Sequence, residues 1–167
     1  MRKFMRLAAS LLAASVLFTG CNAGSGGHGG WYEEIVDFYQ DGYTTHDWSE
    51  ETTLIYASPE QKTALYNFGY LATDIDGDGT DEFLVGRLNT SPTMFTNLYI
   101  WHNDLHEGTC LLGGTIYLCG DNLIRMDQGD GTTVYYSFNS SSNSFSYRTD
   151  VTNAQPMSYT LTPFDVT

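Results

Sequence analysis

The apolar positions of this chain change period twice along its length. Leu7 to Phe18 is an almost unbroken apolar run, interrupted only by Ser10 and Ser15. As a helix it rises about 18 Å, short of the roughly 30 Å of a hydrocarbon core, so it reads as a signal peptide and not as a membrane span. Residues 22–30, Asn-Ala-Gly-Ser-Gly-Gly-His-Gly-Gly, carry no apolar pattern and form a flexible linker that includes His28. From Trp31 the period is helical: Tyr32, Ile35, Val36 and Tyr39 fall on one face, acids sit near the start, and Asp41-Gly42 is the expected end. Ser58-Pro59-Glu60-Gln61 starts a second short helix, Pro59 to Tyr66, with Ser as N-cap, Pro first and Gln third.

From Phe68 onward the pattern is one of short strands separated by turn residues. The expected strands are 68–73, 83–88, 97–101, 105–112, 116–119, 123–126, 132–138 and 145–151, with 159–161 as a candidate last strand. Their spacing predicts an antiparallel β-meander. The fold class is therefore α+β or mainly β: two short N-terminal helices, then an antiparallel meander containing one strand–loop–strand hairpin around an Asp-rich loop. Residues 31–167 make a single globular domain, preceded by a signal peptide over 1–20 and a Cys plus linker over 21–30.

Charge narrows the functions. The 167 residues hold 7 Lys and Arg against 20 Asp and Glu, a net charge of −13. Three of those bases, Arg2, Lys3 and Arg6, lie in the signal region, so the remainder is still more acidic. Such a chain has little with which to neutralise phosphates, which argues against nucleic acid and against a polybasic membrane contact. At 41% hydrophobic and 14% aromatic it has enough apolar matter for a core.

Leu17-Phe18-Thr19-Gly20-Cys21 resembles the lipobox of bacterial lipoproteins, with Phe18 where that family usually has Leu. The resemblance implies cleavage before Cys21, lipidation of Cys21, and export to the outer face of a bacterial membrane, to which the lipid anchors the domain.

The strongest chemical signal is Asp74-Ile75-Asp76-Gly77-Asp78-Gly79-Thr80-Asp81-Glu82. Carboxylates two residues apart on a tight loop can converge on one ion, and Ca²⁺ takes six to eight hard oxygen ligands. Gly77 and Gly79 permit the positive φ of such a turn. The expected ligands are Asp74, Asp76, Asp78, the backbone oxygen of Thr80, and Glu82 closing the site. Mg²⁺ fits less well, because it keeps its waters. The EF-hand pattern needs Glu at position 12, where this chain has Val85. A dockerin would need a second copy of the loop and a helix after it. Residues 74–86, ending Phe83-Leu84-Val85-Gly86, instead resemble the FG-GAP/VCBS calcium loop, which joins two strands. More narrowly, the chain is similar to secreted Gram-positive gut-bacterial proteins with one such loop and a Tyr-rich meander. With one loop copy, the resemblance implies a blade-like calcium hairpin and not a propeller, which needs at least four blades.

Cys110 and Cys119 are a candidate disulfide in an exported protein. A turn at Gly114-Thr115 would set them opposite each other, Cα atoms about 4.5 Å apart; a turn at Gly113-Gly114 would set Cys110 opposite Tyr117. His102 and His106 have helical zinc spacing but straddle a turn, and no nucleophile motif such as G-x-S-x-G is present. The 3 Trp and 12 Tyr could offer a sugar-stacking face, although at this frequency they more often fill a small β core. The expected function is a non-catalytic, calcium-binding, lipid-anchored surface module for adhesion or scaffolding, with a glycan or protein ligand. The alternatives are an exported glycan hydrolase and a subunit of an envelope complex.

Overall fold

The computed structural model describes residues 29–52, 55–100, 114–120, 122–139, 142 and 144–166. Its first element, α1, is the helix Gly29–Thr45. Ile35 and Tyr39 are fully buried, and Tyr32 and Val36 pack beside them, as the helical spacing predicts. Asp41-Gly42 does not end this helix. A Cβ at Gly42 would lie 2.6 Å from the ring of Trp48, so the glycine serves a close approach within the helix and not its termination. The chain turns out of the helix at His46, whose φ is +57°. Thr45 Oγ1 donates to Asp41 O at 2.7 Å and accepts from Asp47 N at 3.2 Å there.

Helix α2, Pro59–Ala64, begins with the expected capping box. Ser58 N donates to Gln61 Oε1 at 2.6 Å, and Gln61 N donates to Ser58 Oγ at 3.3 Å. A 3₁₀ turn, Leu65–Asn67, leads into the sheet.

The strands are β1 (Phe68–Thr73), β2 (Glu82–Arg87), β3 (Phe95–Tyr99), β4 (Gly114–Leu118), β5 (Ile124–Gln128), β6 (Thr133–Asn139), β7 (Ser144–Tyr147) and β8 (Thr162–Pro163). They form one sheet in the order β7-β6-β5-β4-β3-β2-β1-β8, with every pairing antiparallel. Seven strands thus form a meander. The chain then returns across the molecule and adds β8 at the far edge, where Pro163 removes no ladder donor that a neighbour needs. The last strand falls at Thr162–Pro163, after the expected Tyr159–Leu161. Met157 N instead bonds to Leu118 O of β4 at 2.9 Å, and Tyr159 N to Thr93 Oγ1, in the β2–β3 connection, at 2.7 Å.

Strand β2 is buried on both faces, and its alternation divides the core. Phe83 and Val85 join Ile35, Tyr39, Leu65, Phe68, Tyr99 and Phe164 under α1. Leu84 joins Leu98, Ile116, Leu118, Ile124 and Phe138 on the opposite face. Each such fully buried side chain contributes roughly 1.5–3 kcal/mol relative to exposure. The β2–β3 register shifts between Val85 and Gly86, which pair with Asn97 and Phe95 and leave Thr96 as the extra residue. That bulge lets Phe95 and Leu98, three apart, share a core.

Between α2 and β3 lies a buried polar network. Gln61 Nε2 donates to Asn97 Oδ1 at 2.9 Å and to Thr96 Oγ1 at 3.1 Å. The carbonyl of Tyr56 accepts from Tyr39 Oη at 2.9 Å, Asn97 Nδ2 at 3.0 Å and Tyr99 Oη at 3.1 Å.

The expected strand over 105–112 lies outside the described residues. No turn forms at Gly114-Thr115: both are strand residues, paired with Gln128 and Asp127 of β5. A Cβ at Gly114 would lie 2.5 Å from Asp127 O, so this glycine too marks a close approach and not a turn. The turn expected at Gly114-Thr115 is therefore absent, while Cys110 and Gly113 lie outside the described residues. Among the described residues, no helix is long and apolar enough to cross a membrane.

Candidate metal centre

The acidic loop spans residues 74–81, between the end of β1 and the start of β2, whose ladder closes with the Thr73–Glu82 pair. The sequence predicts a loop joining two strands, and the hairpin has that form. Its shape is set by carboxylates accepting from backbone amides. Asp74 Oδ1 accepts from Gly77 N at 2.7 Å, and its Oδ2 from Gly79 N at 3.0 Å. Asp76 Oδ1 accepts from Asp78 N at 3.2 Å, and Asp78 Oδ1 from Thr80 N at 2.7 Å. Gly77 and Gly79 have φ of +80° and +88°, and a Cβ at either would meet nothing within 4 Å. Backbone conformation, and not lack of space, selects glycine there.

These bonds turn three side chains toward one point. Asp74, Asp76 and Asp78 each offer a carboxylate oxygen, and these oxygens all lie within 4.8 Å of one another. The group can hold a metal ion. A carboxylate oxygen that accepts one amide keeps a further lone pair for a cation.

Glu82 occupies a different place. It is 2% exposed, and its Oε2 accepts from Ile75 N at 2.7 Å, tying the end of the loop to its beginning. It stands outside the group of three converging oxygens. Burial pushes its pKa up to about 8, against the pull of the Ile75 amide and with help from the charges of Asp76, Asp78 and Asp74. Thr80 sits at the exit of the loop with its amide engaged by Asp78.

The sequence placed Tyr32 only on the buried face of a helix. In the structure its ring stacks on Phe83, centroids 5.3 Å apart, and Phe83 stacks in turn on Tyr70 at 5.3 Å. Burial first, and then the charges of Asp81, Glu82 and Asp78, raise the Tyr32 pKa. Helix α1 thus packs against Phe83, the residue after Glu82, a relation that no local pattern encodes. On another side, a cavity of about 80 Å³ opens beside Asp74, walled by Ile75, Leu118 and Tyr159.

Cys21 and Cys110 lie outside the described residues, as do His28, His102 and His106. Among the described residues Cys119 has no disulfide partner; its Sγ donates to Ala154 O at 3.9 Å, and burial raises its pKa. No protein-family model, no curated protein and no solved structure matches this chain. The likeness to the FG-GAP/VCBS loop therefore stands on residues 74–86 alone.

Proposed function

We propose that the protein is a non-catalytic binding module whose β1–β2 hairpin is held by Ca²⁺ and which is displayed outside a bacterial membrane through lipidated Cys21. The observation that carries the calcium reading is the convergence of Asp74, Asp76 and Asp78 on a loop already shaped by its own amides. The donors are all oxygens, and the loop is exposed and glycine-hinged, which suits the flexible coordination of Ca²⁺ better than the strict octahedron of Mg²⁺. Thr80 O and water supply further ligands in this reading, while Glu82, held by the Ile75 amide, ties the loop ends together behind the three converging carboxylates.

The ion would act as a staple. It relieves repulsion among three carboxylates, and at 100 times its dissociation constant it stabilises the fold by about 2.7 kcal/mol. For a single domain that is a large share of total stability. The signal-peptide pattern and Leu17-Phe18-Thr19-Gly20-Cys21 support export and anchoring. Asp76→Ala is expected to lower the melting temperature in calcium and to leave it unchanged in chelator. Equal losses in both conditions would remove Asp76 from the ligand set.

A further inference from the structure

The two edges of the sheet are unlike. The β8 edge is two residues long and holds Pro163, which blunts it. The β7 edge, Ser144–Tyr147, has no proline, lysine or bulge, the devices that ordinarily close an edge. The register fixes where its backbone points. Arg148 N donates to Tyr135 O at 2.9 Å, so 148–135 is a hydrogen-bonded pair, and alternation makes 146–137 and 144–139 the same. Phe145 and Tyr147 then meet β6 as non-hydrogen-bonded pairs, with their own N–H and C=O groups directed off the sheet. Phe138, opposite Phe145, has the matching phase: its N and O both turn the other way, to the side chain of Asn122 at 2.8 and 2.6 Å. Among the described residues, no other backbone group bonds to the outer side of Phe145 or Tyr147.

The edge is also aromatic on one face. The rings of Phe145 and Tyr147 continue a ladder from β6, with centroids 5.2 Å apart for Phe138–Phe145, 6.2 Å for Tyr136–Phe145 and 5.7 Å for Tyr136–Tyr147. Tyr147 is 58% exposed at the outer end of that ladder. Charge marks the same place. The chain carries 20 acids and a net charge of −13, yet residues 131–149 hold no acid and one base, Arg148, which Asp150 neutralises at 2.7 Å. Copies of so acidic a chain repel one another, and this edge lets two of them meet without setting acids face to face.

We propose that β7 is a self-association edge, to which a second copy of this chain adds its own β7, antiparallel across a twofold axis at Ser146. That axis sets Phe145 opposite the partner's Tyr147, and Tyr147 opposite the partner's Phe145. All of these residues point their backbone groups outward, so each pair exchanges both of its N–H···O bonds, and each is an aromatic pair. An axis at Phe145 or at Tyr147 would pair one ring with its own copy and leave the other without an aromatic partner. The strand is thus self-complementary in the way a twofold contact requires. Two eight-stranded sheets become one continuous sheet. An edge of four residues is short. It buries less than about 1,000 Å², so the dimer is transient, with a dissociation constant on the order of 0.1–1 mM.

The test is sedimentation equilibrium of the full chain in chelator, from about 10 µM to about 1 mM, together with disulfide trapping. Reversible dimerisation is expected. Tyr147→Lys should weaken it by about tenfold or more without changing the melting temperature. Tyr66→Lys, the same change at a tyrosine 59% exposed on the 3₁₀ turn, should leave it intact. On oxidation Ser146→Cys should give more covalent dimer than the parent, because Cα atoms across the axis lie about 4.5 Å apart. Ser144→Cys should not, because its counterpart lies roughly 13 Å away along the strand. A chain that stays monomeric throughout overturns the proposal and leaves the edge to a strand of another protein. Dimerisation untouched by Tyr147→Lys, equal loss in Tyr66→Lys, or equal trapping by the two cysteine variants overturns it as well. The chelator keeps ion bridging out of the measurement, and the proposal uses no residue of the acidic loop.

Discussion

Gln61 donates from Nε2 to Asn97 Oδ1 at 2.9 Å, and both side chains are buried, at 0% and 2% exposure. The bond joins a helix of six residues to the third strand of the sheet. Gln61 also closes the capping box with Ser58, so one side chain starts the helix and docks it. Asn97 in turn donates to the Tyr56 carbonyl at 3.0 Å. Asn97→Ala leaves these buried groups short of partners, at a cost on the order of 1–3 kcal/mol. Urea unfolding is expected to show a lowered midpoint with an unchanged slope. A midpoint equal to the parent would mean that the network contributes nothing net.

Two glycines near the hairpin separate conformational from steric cost. Gly79 has φ of +88° and open space around it. Gly79→Ala should cost about 1–2 kcal/mol through left-handed strain, and Gly79→Asn less, since Asn tolerates that region. Gly86 is crowded: an added Cβ meets Met94 O at 2.8 Å and Phe95 Cδ1 at 2.9 Å. Gly86→Ala should cost roughly 1–3 kcal/mol by overpacking, and Gly86→Asn more. Chemical denaturation of the four variants checks the opposite ordering of Ala and Asn at the two sites.

Asp127 gives a pH dependence with a definite sign. Burial works against its ionisation, but hydrogen bonds from Arg125 and Thr133 and the Arg125 charge outweigh that and hold its pKa below the usual value of 3.8. A carboxylate with a depressed folded pKa stabilises the fold above its unfolded pKa, and that contribution is lost as pH falls through the folded value. Asp127→Asn should therefore be less stable than the parent at pH 7, and the two should converge as pH falls through the folded pKa of Asp127. A gap that stays constant as the pH is lowered from 7 into the acid range would assign the loss to packing and not to charge.

Local signals carried well from sequence to structure where the neighbours that matter lie close in the chain. Ser58, Pro59 and Gln61 announced a helix start, and the capping box formed. Phe68–Thr73 and its loop were legible because strand period, glycines and carboxylates all fall within one hairpin. Glycine misled where its role depends on distant atoms. Gly42 looked like a helix end but makes room for Trp48, and Gly114 looked like a turn but makes room for Asp127 O. The Gln61–Asn97 network and the approach of Tyr32 to the acidic loop join segments far apart in sequence, so no periodicity could reveal them. The convergence of Asp74, Asp76 and Asp78 was legible from their spacing, whereas the Glu82–Ile75 bond, which sets Glu82 apart from them, was not.

The central claim is that the acidic hairpin binds Ca²⁺ and that the ion stabilises the fold. Calorimetric titration of the purified protein with CaCl₂, paired with melting curves in calcium and in chelator, tests it most directly. The prediction is one site with a dissociation constant at or below millimolar and a melting temperature several degrees higher in calcium. No heat of binding together with superimposable melting curves would contradict it.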